Sequence, residues 1–305
     1  MGTLELGCSD CIMSAGTSNA MSDASTGRRP LRDASNALTE EEFNLFRQLL
    51  SQETGIELDA KKRPFVAGRL ASRLALLNIP SYRDYYRLIA QPDNDVERLQ
   101  ALDLLTTHET WFFREGKHFE KLRAKAMTHR ADRPFRVWSA ACASGEEAYS
   151  IGMVLADVFG APSQRWEVLA TDISTSGLEA ARHGRYPLSR AEAIPRALLH
   201  RFCRKGVRSQ EGMFMVSREL RAQVRFDFLN LFRPFPDLPV FDIIFLRNTL
   251  IYFKPAGRQQ ILNAIEPHLA EDGLLLVSHT ESLQGLDSRF ALVKPGIYRK
   301  PEIRS

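Results

Sequence analysis

The chain lacks most of the features that mark a specialised class of protein. No apolar run among its 305 residues approaches the roughly 20 needed to cross a bilayer. Its N-terminus lacks the basic-then-apolar order of a secretory signal, and Leu6 breaks the myristoylation pattern that Met1-Gly2 opens. Cysteines number only four. Cys8 and Cys11 have metal-like spacing, but no second Cys or His pair completes a site, and Cys142 and Cys203 read as small buried residues of a reducing cytosol. The sequence thus predicts a cytoplasmic protein without membrane insertion and assigns no metal ligand. Internal repeats are absent. The net charge of +4 is too small to imply nucleic acid. What remains is ordinary globular composition, 44% hydrophobic and 26% charged, on a chain long enough for a real core.

Residues 1–37 are rich in Ser, Thr, Ala, Gly and Asn without periodicity and are expected to be a disordered tail. A helical domain is expected over 38–115. Thr39-Glu40-Glu41-Glu42 is a capping box, and Phe43, Phe46, Leu49 and Leu50 form an apolar stripe behind it. A second helix is predicted over 59–77, a third after Ser81 and a fourth over 93–105. In the second, Lys62, Arg69 and Arg73 share one face. A basic linker helix follows over 116–133. From 134 to 305 strand and helix patterns alternate and end in a hairpin at Pro295-Gly296, which predicts an α/β, doubly wound sheet with a mixed edge. A small antiparallel β excursion is expected at about 203–223, a helix over Pro255 to Leu269 and a strand over Leu274 to Ser278.

The informative stretch is Val137 to Ser150, VWSAACASGEEAYS, read with Ala170-Thr171-Asp172. An apolar run ends in small residues and opens a helix; one unit later a second run stops at an acid. In an open α/β sheet this is how an adenosine-type cofactor is gripped, the acid holding the ribose hydroxyls. The loop carries a single glycine, Gly145, where a dinucleotide fingerprint carries three, and Glu146 and Glu147 would repel phosphates. S-adenosylmethionine has no phosphate and is cationic at the reacting end, so the acids favour it. Ser144-x-x-Glu147 is also a capping box, which leaves Glu147 as either a cap or a ligand. Ser176-x-x-Glu179 caps the next helix, which leaves Asp172 free for a ligand.

The motifs HETWFFRE, VWSAACASGEEAYS, ATDIS, FLNL and FLRNTLIYF, in this order over about 39–300, resemble the CheR-type chemotaxis receptor glutamate methyltransferases. The resemblance implies a helical N-terminal domain, a Rossmann-like methyltransferase domain with a small inserted antiparallel β-subdomain, and conversion of S-adenosylmethionine to S-adenosylhomocysteine. It places cofactor contacts on Thr110, Arg114, Glu147, Asp172, Asn230, Leu231, Arg247 and Asn248, and Tyr252 facing the methyl site. His108 belongs to the same set but stands where the family commonly has Asn. Leu246 replaces a frequent Cys, and Ser278-His279-Thr280-Glu281 replaces Gly-His-Ser-Glu.

Methylating a carboxylate needs no general base, because a glutamate with a pKa of about 4.3 is already ionised. The absence of a Ser-His-Asp or metal constellation fits such a reaction. Positioning of carboxylate, methyl carbon and sulfur can contribute roughly 7–11 kcal/mol. Arg114 and Tyr252 are the candidates to orient the carboxylate. The resemblance implies, as partner, the cytoplasmic helical signalling domain of methyl-accepting chemoreceptors, and Lys62, Arg69 and Arg73 could meet its acidic helices. Residues 204–216 are either a site for a receptor C-terminal peptide or a plain loop. The chain is expected to be monomeric. Two other readings stay open, a methyltransferase acting on another substrate and a non-catalytic cofactor-binding module.

Overall fold

The computed structural model describes residues 37–130 and 132–300. The expected tail, with Cys8 and Cys11, lies outside them except for Ala37. Among the described residues no helix is long and apolar enough to cross a membrane.

The first helix, α1 (Glu40–Thr54), starts where the capping box predicts: Thr39 Oγ1 accepts from Glu42 N at 3.2 Å, and Glu42 Oε2 accepts from Thr39 N at 3.0 Å. It ends at Gly55, whose φ of +72° turns the chain into a left-handed conformation that a β-carbon disfavours. A 3-10 turn at Ala60–Lys62 leads into α2 (Arg63–Leu77), followed by α3 (Tyr82–Ile89) under a Ser81 cap and α4 (Asp95–Leu105). Phe43, Phe46, Leu50, Val66, Leu70 and Tyr85 fuse these helices around one core. The linker helix is α5 (Gly116–Thr128).

The α/β region then runs β1 (Phe135–Ala140), α6 (Glu146–Phe159), β2 (Trp166–Asp172), α7 (Thr175–His183), β3 (Arg185–Pro187), α8 (Arg196–Phe202), β4 (Cys203–Lys205), β5 (Met213–Val216), α9 (Arg218–Arg221), β6 (Val224–Phe228), β7 (Phe241–Phe245), α10 (Pro255–Ile265), β8 (Leu269–Leu276), β9 (Ala291–Lys294) and β10 (Ile297–Arg299). Seven strands form one sheet in the order β6-β2-β1-β7-β8-β10-β9. The first five are parallel, and the β9–β10 hairpin closes the edge antiparallel. Along β1, Val137 enters the core on one face of the sheet and Trp138 and Ala140 that on the other, as a strand covered on both sides requires. The chain leaves β1 toward β2 and β6 in one direction and toward β7 and β8 in the other. The switch point therefore lies between β1 and β7, where the strand C-termini open a crevice.

Three expectations are corrected. The small sheet begins earlier than 203: β3 at Arg185–Pro187 pairs with β5, giving the order β3-β5-β4. Three residues ending in proline carry no alternation to betray a strand. β8 starts at Leu269 rather than Leu274, because the turn-like Glu271-Asp272-Gly273 is absorbed within the strand, opposite a register shift between Phe241 and Ile243. The helix expected to run to Leu269 stops at Ile265 and tightens into a 3-10 turn containing Pro267, which has no N–H to continue the α ladder.

Candidate functional site

A cleft of about 360 Å³ opens over the C-terminal ends of β1, β2 and β7. His108, Thr110, Arg114, Glu147, Asp172, Asn230, Leu231, Arg247, Asn248 and Tyr252, which come from separate motifs, all line it. Lys62 lines it too, while Arg69 and Arg73 do not. Backbone strain gathers around it: Phe113, Glu115, Ala141, Ala143 and Asn248 all have positive φ between +49° and +77°. Such conformations persist only where the surroundings enforce them.

The floor is built from the loop after β1. Ala141 N and Cys142 N extend the pairing with β2 by donating to Thr171 O at 2.8 and 2.9 Å. Gly145, with φ +92°, opens α6; a β-carbon there would lie 2.7 Å from Ala181 Cβ, so this glycine lets α6 approach α7 rather than a ligand. Asp172, at the tip of β2, is not free as expected. Its carboxylate accepts from Ala143 N at 2.7 Å and Ser174 N at 2.8 Å, and Ser174, not Ser176, caps α7 by accepting from Gly177 N. Burial raises the Asp172 pKa, and His108 and the two backbone N–H groups work against that rise.

His108 sits between two acids. Its Nε2 is 3.2 Å from Asp103 Oδ1 and its Nδ1 is 4.0 Å from Asp172 Oδ1. Burial opposes the imidazolium, yet the hydrogen bond to Asp103 and the charge of Asp172 outweigh it and raise the His108 pKa.

Glu147 settles as a network member, not a helix cap. Gly145 is the N-cap and makes no side-chain cap bond, and Ser144 Oγ donates to Glu146 instead. Glu147 accepts from Ser139 Oγ at 2.8 Å and from Arg247 Nη1 at 2.9 Å. Burial raises its pKa, and Arg247 counters that. Arg247, 5% exposed, also donates to the Arg114 carbonyl and lies 3.4 Å from Glu115 Oε2. The Asn230 amide is committed as well: Nδ2 donates to Glu53 O at 2.7 Å and Oδ1 accepts from Phe232 N at 2.9 Å.

The mouth of the cleft is wired differently. Arg114 has two acids near it in sequence, Glu109 and Glu115. Its guanidinium instead stacks 4.1 Å from the centre of the Trp111 ring and donates to the Glu109 carbonyl, and among the described residues no carboxylate pairs with it. Tyr252 stands on the loop after β7; burial raises its pKa, so the hydroxyl keeps its proton. Sequence reasoning missed what holds that loop. Glu281 accepts from the backbone N–H of Asn248 and Ser278 on one oxygen and of Thr249 and Ile251 on the other. The only signal was Ser278-x-x-Glu281, a capping-box pattern with no helix after it. The segment after α1 was also missed. Glu57 N donates to Tyr252 O at 2.9 Å, and Ile56 bridges Phe253.

Lys62, at the N-cap of α2, and Arg69, on that helix, both lie over the Phe65 ring. Arg73 does not share their open face. Its Nε donates to Glu97 Oε1 at 2.9 Å, and Tyr85 donates to the same oxygen at 2.7 Å, so Arg73 is tied to α4.

The donor set suits a cationic, phosphate-free nucleoside. Asp172 can meet ribose hydroxyls, Leu229 and Leu231 offer apolar walls, and Glu147, paired with Arg247, lies at the inner end. The comparisons agree. Residues 41–106 match the family model described as CheR methyltransferase, all-alpha domain, and residues 108–298 that described as CheR methyltransferase, SAM binding domain. The chain is 38% identical over 263 residues to the chemotaxis protein methyltransferase of Salmonella typhimurium, covering 86% of this chain and 91% of that one. It is 39% identical to the Escherichia coli protein of the same name, with the same coverage of each chain. With that of Borreliella burgdorferi it shares 31% over 273 residues, covering 86% and 95%. S-adenosylmethionine is thus the cofactor, and the chain belongs to the CheR methyltransferase family.

Proposed function

We propose that this enzyme methylates glutamate side chains on the helical signalling domains of chemoreceptors, forming γ-methyl esters. The observation that carries this reading is Arg114: a guanidinium at the cleft mouth, immobilised on Trp111 and without a carboxylate of its own. An incoming side-chain acid would supply the missing partner. The names of the relatives, chemotaxis protein methyltransferases, support chemoreceptors as the substrate.

S-adenosylmethionine, when bound, supplies a methyl group on a sulfonium. The protein's own groups have a narrower task. Asp172, Glu147 and Thr110 would hold the cofactor, and Arg114 would orient the carboxylate, which arrives ionised and gives up no proton. The Tyr252 hydroxyl, protonated at neutral pH, can donate to that carboxylate as it sheds water. Lys62 and Arg69 leave a basic rim on α2 that suits an acidic receptor helix.

The test is transfer of a labelled methyl group to a purified receptor signalling domain. Label that is lost in mild base, and that is absent when the acceptor glutamates are replaced by alanine, is the expected result. Base-stable label, or label confined to nucleic acid or small molecules, overturns the glutamate assignment.

A further inference from the structure

Behind Arg247, away from the cleft lining, three side chains that the sequence never associates converge. Glu115 and His118 sit at the start of α5, and His279 follows β8. One donor atom of each lies within 4.8 Å of the others. We propose that Glu115 Oε2, His118 Nδ1 and His279 Nε2 form a binding site for a divalent first-row transition ion. Two imidazoles and one carboxylate suit zinc or its neighbours rather than calcium or magnesium, which prefer oxygen ligands.

His118 is the strongest support. It is 0% exposed, and among the described residues neither ring nitrogen has a hydrogen-bond partner; Glu115 Oε2 has none either, its nearest cation being Arg247 Nη2 at 3.4 Å. Buried polar atoms are nearly always satisfied, so orphans facing one another ask for a missing group. The Glu115 Oε2–His118 Nδ1 separation is 3.4 Å. That is long for a charge-assisted hydrogen bond of about 2.7–2.9 Å. It matches the roughly 3.3–3.4 Å between neighbouring ligands of a tetrahedral ion bound at 2.0–2.1 Å. His279 Nε2 is 3.9 Å from the same oxygen, and its half-exposed side chain can close the difference by a small rotation.

The surroundings are arranged for this role. Ser278 Oγ donates to Glu115 Oε1 at 2.7 Å, fixing the carboxylate from its far side. Glu115 itself adopts φ +58°, a strained value for a side-chain-bearing residue. On the other side of the rings is Gly296; a β-carbon there would stand 3.3 Å from His118 Nε2 and 3.4 Å from His279 Nδ1. The rings are thus held between that backbone and the carboxylate. Arg247 is shared between two carboxylates, 2.9 Å from Glu147 Oε2 and 3.4 Å from Glu115 Oε2, so one guanidinium faces two acids beside the site.

The experiment uses the full chain carrying Cys8→Ser and Cys11→Ser, so that thiolates outside the site cannot take up metal. After chelator treatment, zinc is titrated by calorimetry, and thermal unfolding is followed with and without zinc. The expected result is one equivalent bound and a Tm that rises with zinc. His279→Ala and Glu115→Gln should each weaken binding at least ten-fold and abolish the Tm rise. His279 is partly exposed, so its variant keeps the test valid if a His118 variant fails to fold. Cobalt should give a visible d–d band in the parent that His279→Ala loses. Absence of stoichiometric uptake, or uptake unchanged in both variants, overturns the proposal.

Discussion

The inner wall of the cleft and its mouth each contain an arginine, and the two are treated in opposite ways. Arg247 is buried and shared between Glu147, Glu115 and the Arg114 carbonyl. Arg114 is stacked on an aromatic ring and, among the described residues, pairs with no carboxylate. The inner charges are set against each other, Arg247 facing both Glu147 and Glu115, which makes a rigid floor for a small cofactor. The outer arginine is immobilised but unpaired, which suits a site completed by another molecule. Burial without a partner is costly, whereas a cation at a solvated mouth can wait for one at little expense.

The contrast predicts where damage falls. Arg247→Ala has the largest expected effect. It leaves the Glu147 carboxylate buried and unpaired, a change that costs about 3–5 kcal/mol. Urea unfolding should show a lower midpoint with an unchanged slope; a loss under about 1 kcal/mol would mean that the inner network is not structural. Arg114→Ala should do the reverse. Stability should hold, while methyl transfer falls roughly 10- to 150-fold, the worth of a hydrogen bond to a charged group. In the same assay Tyr252→Phe should lower turnover a few-fold with less effect on cofactor affinity. Equal loss of both would make Tyr252 a binding residue.

The smallest expected effect concerns His108. Its pKa is raised in the folded chain, so its contribution to stability is complete below the ordinary histidine value of about 6.5. That contribution fades as pH rises through the folded value. The stability advantage over His108→Asn should therefore shrink as pH rises above about 6.5. A difference that stays flat over that rise would show that His108 does not carry charge between Asp103 and Asp172.

How much of this could be read in advance depended on whether the partners were neighbours in sequence. Thr39 and Glu42 are three residues apart, and their capping box formed as read. Ser144 and Glu147 have the same spacing, yet Gly145 starts the helix and Glu147 is claimed by Arg247, 100 residues further on. No local pattern distinguishes those two cases. Arg73 had the spacing of an open basic face, but Glu97 on α4, itself held by the Tyr85 hydroxyl on α3, captured it. Motif order placed ten residues in one cleft, because strand ends in a doubly wound sheet converge whatever lies between them. The Glu281 clamp and the β3 strand depend on contacts between distant parts of the chain, and they escaped.

The backbone bridge between Ile56 and Phe253, with the Glu57-to-Tyr252 hydrogen bond beside it, divides the helical bundle by evolutionary freedom. The outer surfaces of α2 and α3 are freer to vary, since the bridge and the hydrogen bond to the tyrosine's loop are made by Ile56 and Glu57 and not by those helices. The connector at 54–58 cannot drift in the same way. An insertion of even one residue there would shift the register of the bridge and carry the Tyr252 loop with it, so lineages adapting to new receptors should vary the bundle's faces and keep this connector's length.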